Sequence, residues 1–134
     1  MNGIVVRRLE GRKLLCTAGP HQVVTDRKRE DGGTDAGPTS GELLLLAIGS
    51  CAAGSLRTFL ANAGHPSEGI AVQVAFEPSA TDERDAVAID VALPGLDEIA
   101  DRAGLEDAAR SGGVVSRIAL GSELRVRFRP APTP

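Results

Sequence analysis

Tryptophan and tyrosine are absent from this 134-residue chain, and three phenylalanines are its whole aromatic content. So few rings cannot build a platform on which bases stack. Fifteen basic against 18 acidic residues leave a formal charge of −3, so there is no basic field to hold a phosphate backbone either. Nucleic acid is not an expected partner. Only two cysteines occur, Cys16 and Cys51, which excludes a disulfide framework. His21 and His65 stand apart, with no Cys/His cluster at metal-ligand spacing, so neither a metal nor another cofactor is expected. The N-terminal run MNGIVVRRLEGRK lacks an apolar segment behind its charges and a small-residue cleavage pattern. The expected compartment is therefore the cytoplasm. The uncharged run at 43–56 spans 14 residues, short of the ~20 needed to cross a bilayer, so no membrane partner is expected.

What is present is organised around residues 39–64, TSGELLLLAIGSCAAGSLRTFLANAG. Thr39 and Glu42 have the T-x-x-E spacing of a capping box, and Gly64 followed by Pro66 is a stop signal. A helix without charge over fourteen residues is too apolar for one wet face and calls for burial on nearly every side. Gly49, Ser50, Ala52, Ala53, Gly54 and Ser55 are all small. The pairs Gly49/Ala53 and Ser50/Gly54 sit one turn apart, which predicts close approach by another helix around Cys51. Two mid-helix glycines cost on the order of 1 kcal/mol each against alanine, so packing or access to the thiol must compensate.

Before this helix, residues 3–9, 12–18 and 21–25 are rich in Val, Ile, Leu and Thr and are separated by Gly11 and Gly19-Pro20. They predict a three-stranded antiparallel meander, with Cys16 as a small apolar residue of its second strand. Residues 26–38, DRKREDGGTDAGP, read as a surface loop. Its glycines are not followed by the lysine of a phosphate loop. After the helix, 70–77 and 87–93 alternate as half-buried strands around a polar loop at 79–85. A helical pattern over 96–111 breaks at Gly104, and 114–120 reads as another short helix. Residues 123–129 alternate Leu124, Val126 and Phe128 with three arginines and predict an amphipathic strand. One domain is expected over 1–130, with 131–134 as a disordered tail.

Cys51 is the residue whose setting invites chemistry. Buried among Leu, Ala and Gly a thiol is inert, whereas beside a cation it becomes a nucleophile. Arg57 lies six residues on and so on the opposite face of the helix, which leaves Arg7, Arg8, Arg12, Arg27 and Arg29 as candidate activators. Glu42 is explained by its capping role, with a catalytic role as the alternative.

His21-x-x-x-x-Asp26, then Gly32-Gly33-x-Asp35-x-Gly37-Pro38-Thr39, then Glu42-Leu43-Leu44-Leu45-x-Ala47-x-Gly49-Ser50-Cys51, resembles the OsmC/Ohr family of osmotically inducible and organic-hydroperoxide-resistance proteins. Val115-Ser116-Arg117-x-x-Leu120 is similar to the family's second motif, CPVSRTL. The resemblance implies an α+β fold, OsmC-like, as an intertwined homodimer with long central helices flanked by mixed β-sheets built from both chains. It also implies a thiol-dependent peroxidase in which the helix cysteine attacks an organic hydroperoxide and a second cysteine resolves the sulfenic acid. Cys51 stands at the peroxidatic position and Glu42 at that of the glutamate holding an arginine against the thiolate. For that arginine, Gly11-Arg12 resembles one branch and favours Arg12, while Arg27 and Arg29 occupy the loop other members use. Gly113 replaces the resolving cysteine, so the expected enzyme is a one-cysteine peroxidase needing an external thiol reductant. The alternative is a noncatalytic dimer of this fold holding a small apolar ligand near Cys51. Nine residues separate Glu42 from Cys51, about 13 Å along the axis and half a turn around it, so a shared site would draw Glu42 from the other subunit.

Overall fold

A computed structural model describes residues 3–81 and 83–131. The expected disordered tail therefore falls outside the described residues except for Ala131. Strands β1 (Val5–Arg8), β2 (Leu14–Ala18) and β3 (His21–Thr25) form the antiparallel meander in that order. Gly19 opens the two-residue β2–β3 turn at φ 57°, a left-handed conformation that costs glycine little. Cys16 sits half-buried on β2, opposite Val6 and Val23. Among the described residues the meander makes only sparse contact with the other strands and helices, and β1 is exposed along its whole length.

The central helix α1 (Ser40–Asn62) forms as the sequence predicts. Thr39 Oγ1 accepts from the Glu42 amide at 3.2 Å, and Glu42 Oε1 accepts from the Thr39 amide at 3.0 Å. At its other end Gly64, at φ 73°, closes a Schellman motif: the Gly64 amide donates to Ala61 and the His65 amide to Leu60. One row of α1 is buried. Leu56 and Leu60 pack with Leu93, Ile99 and Leu105, while Ile48 and Ala52 pack with Val115.

Leu105 belongs to α2 (Arg102–Ser111) and Val115 to α3 (Gly113–Leu120), and Leu93 and Ile99 lie in the connection before α2. Val74 of β4 (Ala71–Glu77) with Val87, Ile89 and Val91 of β5 (Ala86–Ala92) completes the packing. The antiparallel β4–β5 register pairs Val72 with Val91, Val74 with Ile89 and Phe76 with Val87, an apolar set on one face, while Gln73 pairs with Asp90 on the other. The rest of α1 is open: Leu44, Leu46, Ala47, Ser50 and Gly54 are exposed. By length and composition α1 could also cross a bilayer, but β4, α2 and α3 occupy one of its sides.

Three expectations change. The helical pattern at 96–111 divides into a 3-10 turn, Leu96–Glu98, and α2. The break falls before Asp101, because the Asp101 carboxylate caps α2 by accepting from the Gly104 amide at 2.9 Å. Gly104 is thus inside the first turn rather than at a break. Gly49 does not face a helix: a side-chain carbon there would lie 3.1 Å from Val74 Cγ2, so its smallness seats α1 on β4, while Gly54 faces open space. Finally, residues 121–131 form neither strand nor helix. Leu124, Val126 and Phe128 are 87%, 66% and 95% exposed. A strand needs a partner for its backbone groups, and among the described residues none pairs with this segment.

Candidate functional site

The loop between β3 and α1 is built on Asp26. This carboxylate is 4% exposed and accepts hydrogen bonds from the amides of Arg27, Thr34 and Ala36 and from Thr34 Oγ1 at 2.7 Å. The Thr34 hydroxyl, with those amides, holds its pKa well below the usual carboxylate range against the opposing cost of burial. The chain closes tightly around it. A side-chain carbon at Gly33 would collide with the Arg27 carbonyl, and one at Gly37 with that of Val24.

This closure aims Lys28 at the start of α1. Lys28 Nζ lies 3.1 Å from Asp35 Oδ1 and 3.3 Å from Glu42 Oε1. The hydrogen bond from the Thr39 amide, followed by Lys28, lowers the pKa of Glu42, and hydrogen bonds to Asp35 and Glu42 raise that of Lys28. Glu42 is thus a cap and an ion-pair acceptor at once. The Arg12 guanidinium lies beside Gly32 on the same loop, with Nε 3.5 Å from where a Gly32 side-chain carbon would stand.

Cys51 is elsewhere. It is half-buried on α1, against the cluster of Ile48, Ala52 and Val115. Its sulfur faces the start of α3, where a side-chain carbon on Gly112 would collide with Sγ and lie 2.8 Å from Ser55 Oγ. A side chain at Gly112 would therefore displace Cys51 Sγ and Ser55 Oγ, so glycine there lets the two helices meet closely. The neighbouring Gly113 is exposed and faces Arg117. A single chain brings Arg12 and Glu42 to one loop and leaves Cys51 about 13 Å farther along α1. Among the described residues no group of three His, Cys, Asp or Glu is placed to hold a metal.

Lys28, Gly112 and Ser55 escaped the sequence reading. Lys28 meets carboxylates 7 and 14 residues away through a loop whose path depends on Asp26, and no local spacing announces that. Gly112 could have been found only by asking why two glycines precede a helix.

The family described as OsmC-like protein matches residues 32–125, the stretch from the loop through α1, the hairpin and α3. The chain belongs to this family. Comparison with curated protein sequences gives no match. Among solved structures, a Psychrobacter arcticus 273-4 protein named for osmotic stress induction and detoxification response is similar with a TM-score of 0.68. It is 15% identical, and the alignment covers 87% of each chain. An organic hydroperoxide resistance protein OsmC of Legionella pneumophila is similar with a TM-score of 0.61 and 16% identity over 88% of this chain and 90% of that one. At such identities the likeness speaks for the α+β OsmC-like fold.

Proposed function

We propose that this OsmC-like protein is a homodimeric thiol peroxidase that reduces organic hydroperoxides through Cys51. One observation carries the reading: α3 begins against the Cys51 sulfur, with Gly112 in contact and Gly113, the family's resolving position, next to it. The start of α3 thus lies in the neighbourhood of the peroxidatic thiol, while a side chain at 113 itself would meet Arg117. With Gly113 there, Cys51 works alone. Its thiolate attacks the terminal oxygen of the hydroperoxide, forming an S–O bond. The O–O bond breaks, the alkoxide leaves and takes a proton to become the alcohol, and the sulfur becomes a sulfenic acid. One external thiol converts this to a mixed disulfide and water, and a second releases Cys51 as thiol.

Arg12 and Glu42 enter from a second subunit. Supporting this are the open row of small residues Ala47, Ser50 and Gly54 on α1, the uncovered β1, and the apolar residues of 123–129. Glu42 would hold the arginine at the thiolate, and Lys28 is a second cation on that carboxylate. The chain works as one domain, and the reading places it in the cytoplasm.

A second reading has its own observation. A cleft of about 700 Å³, lined by Ile48, Leu56, Val87, Ile89 and Val115 together with Asp85, Glu106 and Arg110, opens beside the cluster that carries Cys51. That volume suits a small apolar ligand, and a noncatalytic dimer could hold one. Stoichiometric cumene hydroperoxide separates the two readings. The peroxidase loses one free thiol per chain with a trappable sulfenic acid, and Cys51→Ser loses none. No Cys51-dependent loss would leave the ligand-binding reading.

A further inference from the structure

We infer that Ser55 is a catalytic residue of the same site: its hydroxyl donates a hydrogen bond to the oxygen transferred onto the Cys51 sulfur. The inference rests on the peroxidase reading. Cys51 and Ser55 are one turn apart on α1 and confront the same backbone point, Gly112. Their Sγ and Oγ atoms therefore lie no more than roughly 5 Å apart, a separation that one S–O bond and one O–H···O bond can bridge. The Ser55 hydroxyl is also uncommitted. Thr58 donates to the Gly54 carbonyl, Ser111 to Ala108 and Ser116 to Gly113, each turning back onto its own helix. Among the described residues no such bond ties Ser55.

The terminal oxygen arrives on sulfur with its own proton, as S–OH, while the departing alkoxide takes a proton from solvent; the oxygen on sulfur carries negative charge once that S–OH ionises to the sulfenate. A hydroxyl facing it stabilises that charge, and hydrogen bonds to ionised acceptors are the strong ones. With Gly113 in place of a resolving cysteine, the sulfenate must persist until an external thiol arrives. A bound sulfenate is also a weaker nucleophile toward a second hydroperoxide, whose attack would give the irreversible sulfinic acid.

The test compares the wild-type protein, Ser55→Ala and Ser55→Thr after one and ten equivalents of cumene hydroperoxide. Sulfenic acid is measured by dimedone trapping and sulfinic acid by intact mass, with iodoacetamide alkylation of Cys51 as the control for access. Ser55→Ala is expected to oxidise about 10-fold more slowly at the first step and to accumulate sulfinic acid at ten equivalents, with alkylation unchanged and Ser55→Thr near wild type. Equal oxidation and equal sulfinic yield in Ser55→Ala would overturn the role of Ser55 and leave the peroxidase standing. Absence of any sulfenic acid in the wild type would remove both.

Discussion

Asp26 receives four hydrogen bonds in a nearly buried position, which ties the conformation of the loop to its ionisation. Its folded pKa is depressed, so the stability it contributes is complete above the unfolded value, near 4, and is lost as pH falls through the folded value. The pKa of Glu42 is lowered as well and adds in the same direction. Lys28 has a raised pKa, and its contribution is present below the ordinary lysine value and lost above it. The thermal midpoint should therefore fall on acidification below about pH 4. Asp26→Asn should lower the midpoint at pH 7 by several degrees and flatten its acid dependence, while Asp35→Asn, at an exposed pair, should change little. An Asp26→Asn protein with the wild-type acid profile would contradict this account of the loop. Gly33→Ala and Gly37→Ala are expected to destabilise as well, because each new carbon runs into a backbone carbonyl.

Among the elements, α1 bears most of the core. Leu60 is fully buried, and Leu60→Ala is expected to cost about 2–5 kcal/mol in urea unfolding. The exposed Leu46 would cost little in a monomer, so a large effect of Leu46→Ala would itself point to a covered face. This helix was legible because its signals are local: a capping box, an uncharged run and a glycine stop. The meander was legible from its β-rich runs and from Gly11 and Gly19 at the turns, and the β4–β5 hairpin from alternation. The start of α2 was less so, since periodicity over 96–111 hid the side-chain cap at Asp101 that decides where the helix begins. The role of Gly49 was misread for a related reason: small residues announce close approach, but not whether a strand or a helix approaches. The segment 123–129 has the pattern of a strand, yet pattern alone supplies no backbone partner. For the candidate site, the motif led to the proposal of Cys51 and Glu42, and helix geometry to their half-turn offset. Ser55 and Gly112 depend on how α3 meets α1, which no spacing encodes.

At the scale of the molecule, the meander is nearly detached from the helical body, and apolar side chains remain open on β1, α1 and 123–129. In the proposed dimer a second copy covers these surfaces and brings Arg12 and Glu42 toward Cys51. Light scattering at micromolar concentration should then give twice the 13.8 kDa chain mass, and replacing Val126 and Phe128 by serine should shift it toward the monomer. A monomeric wild type would remove the shared site while leaving open chemistry at Cys51 itself. That chemistry is the central claim, and the most direct measurement is the intact mass after one equivalent of cumene hydroperoxide, with the modified residue located by peptide mapping. The account predicts one oxygen on Cys51, reversed by excess dithiol and absent in Cys51→Ser. An unmodified Cys51, or oxygen found on Cys16 instead, would contradict it.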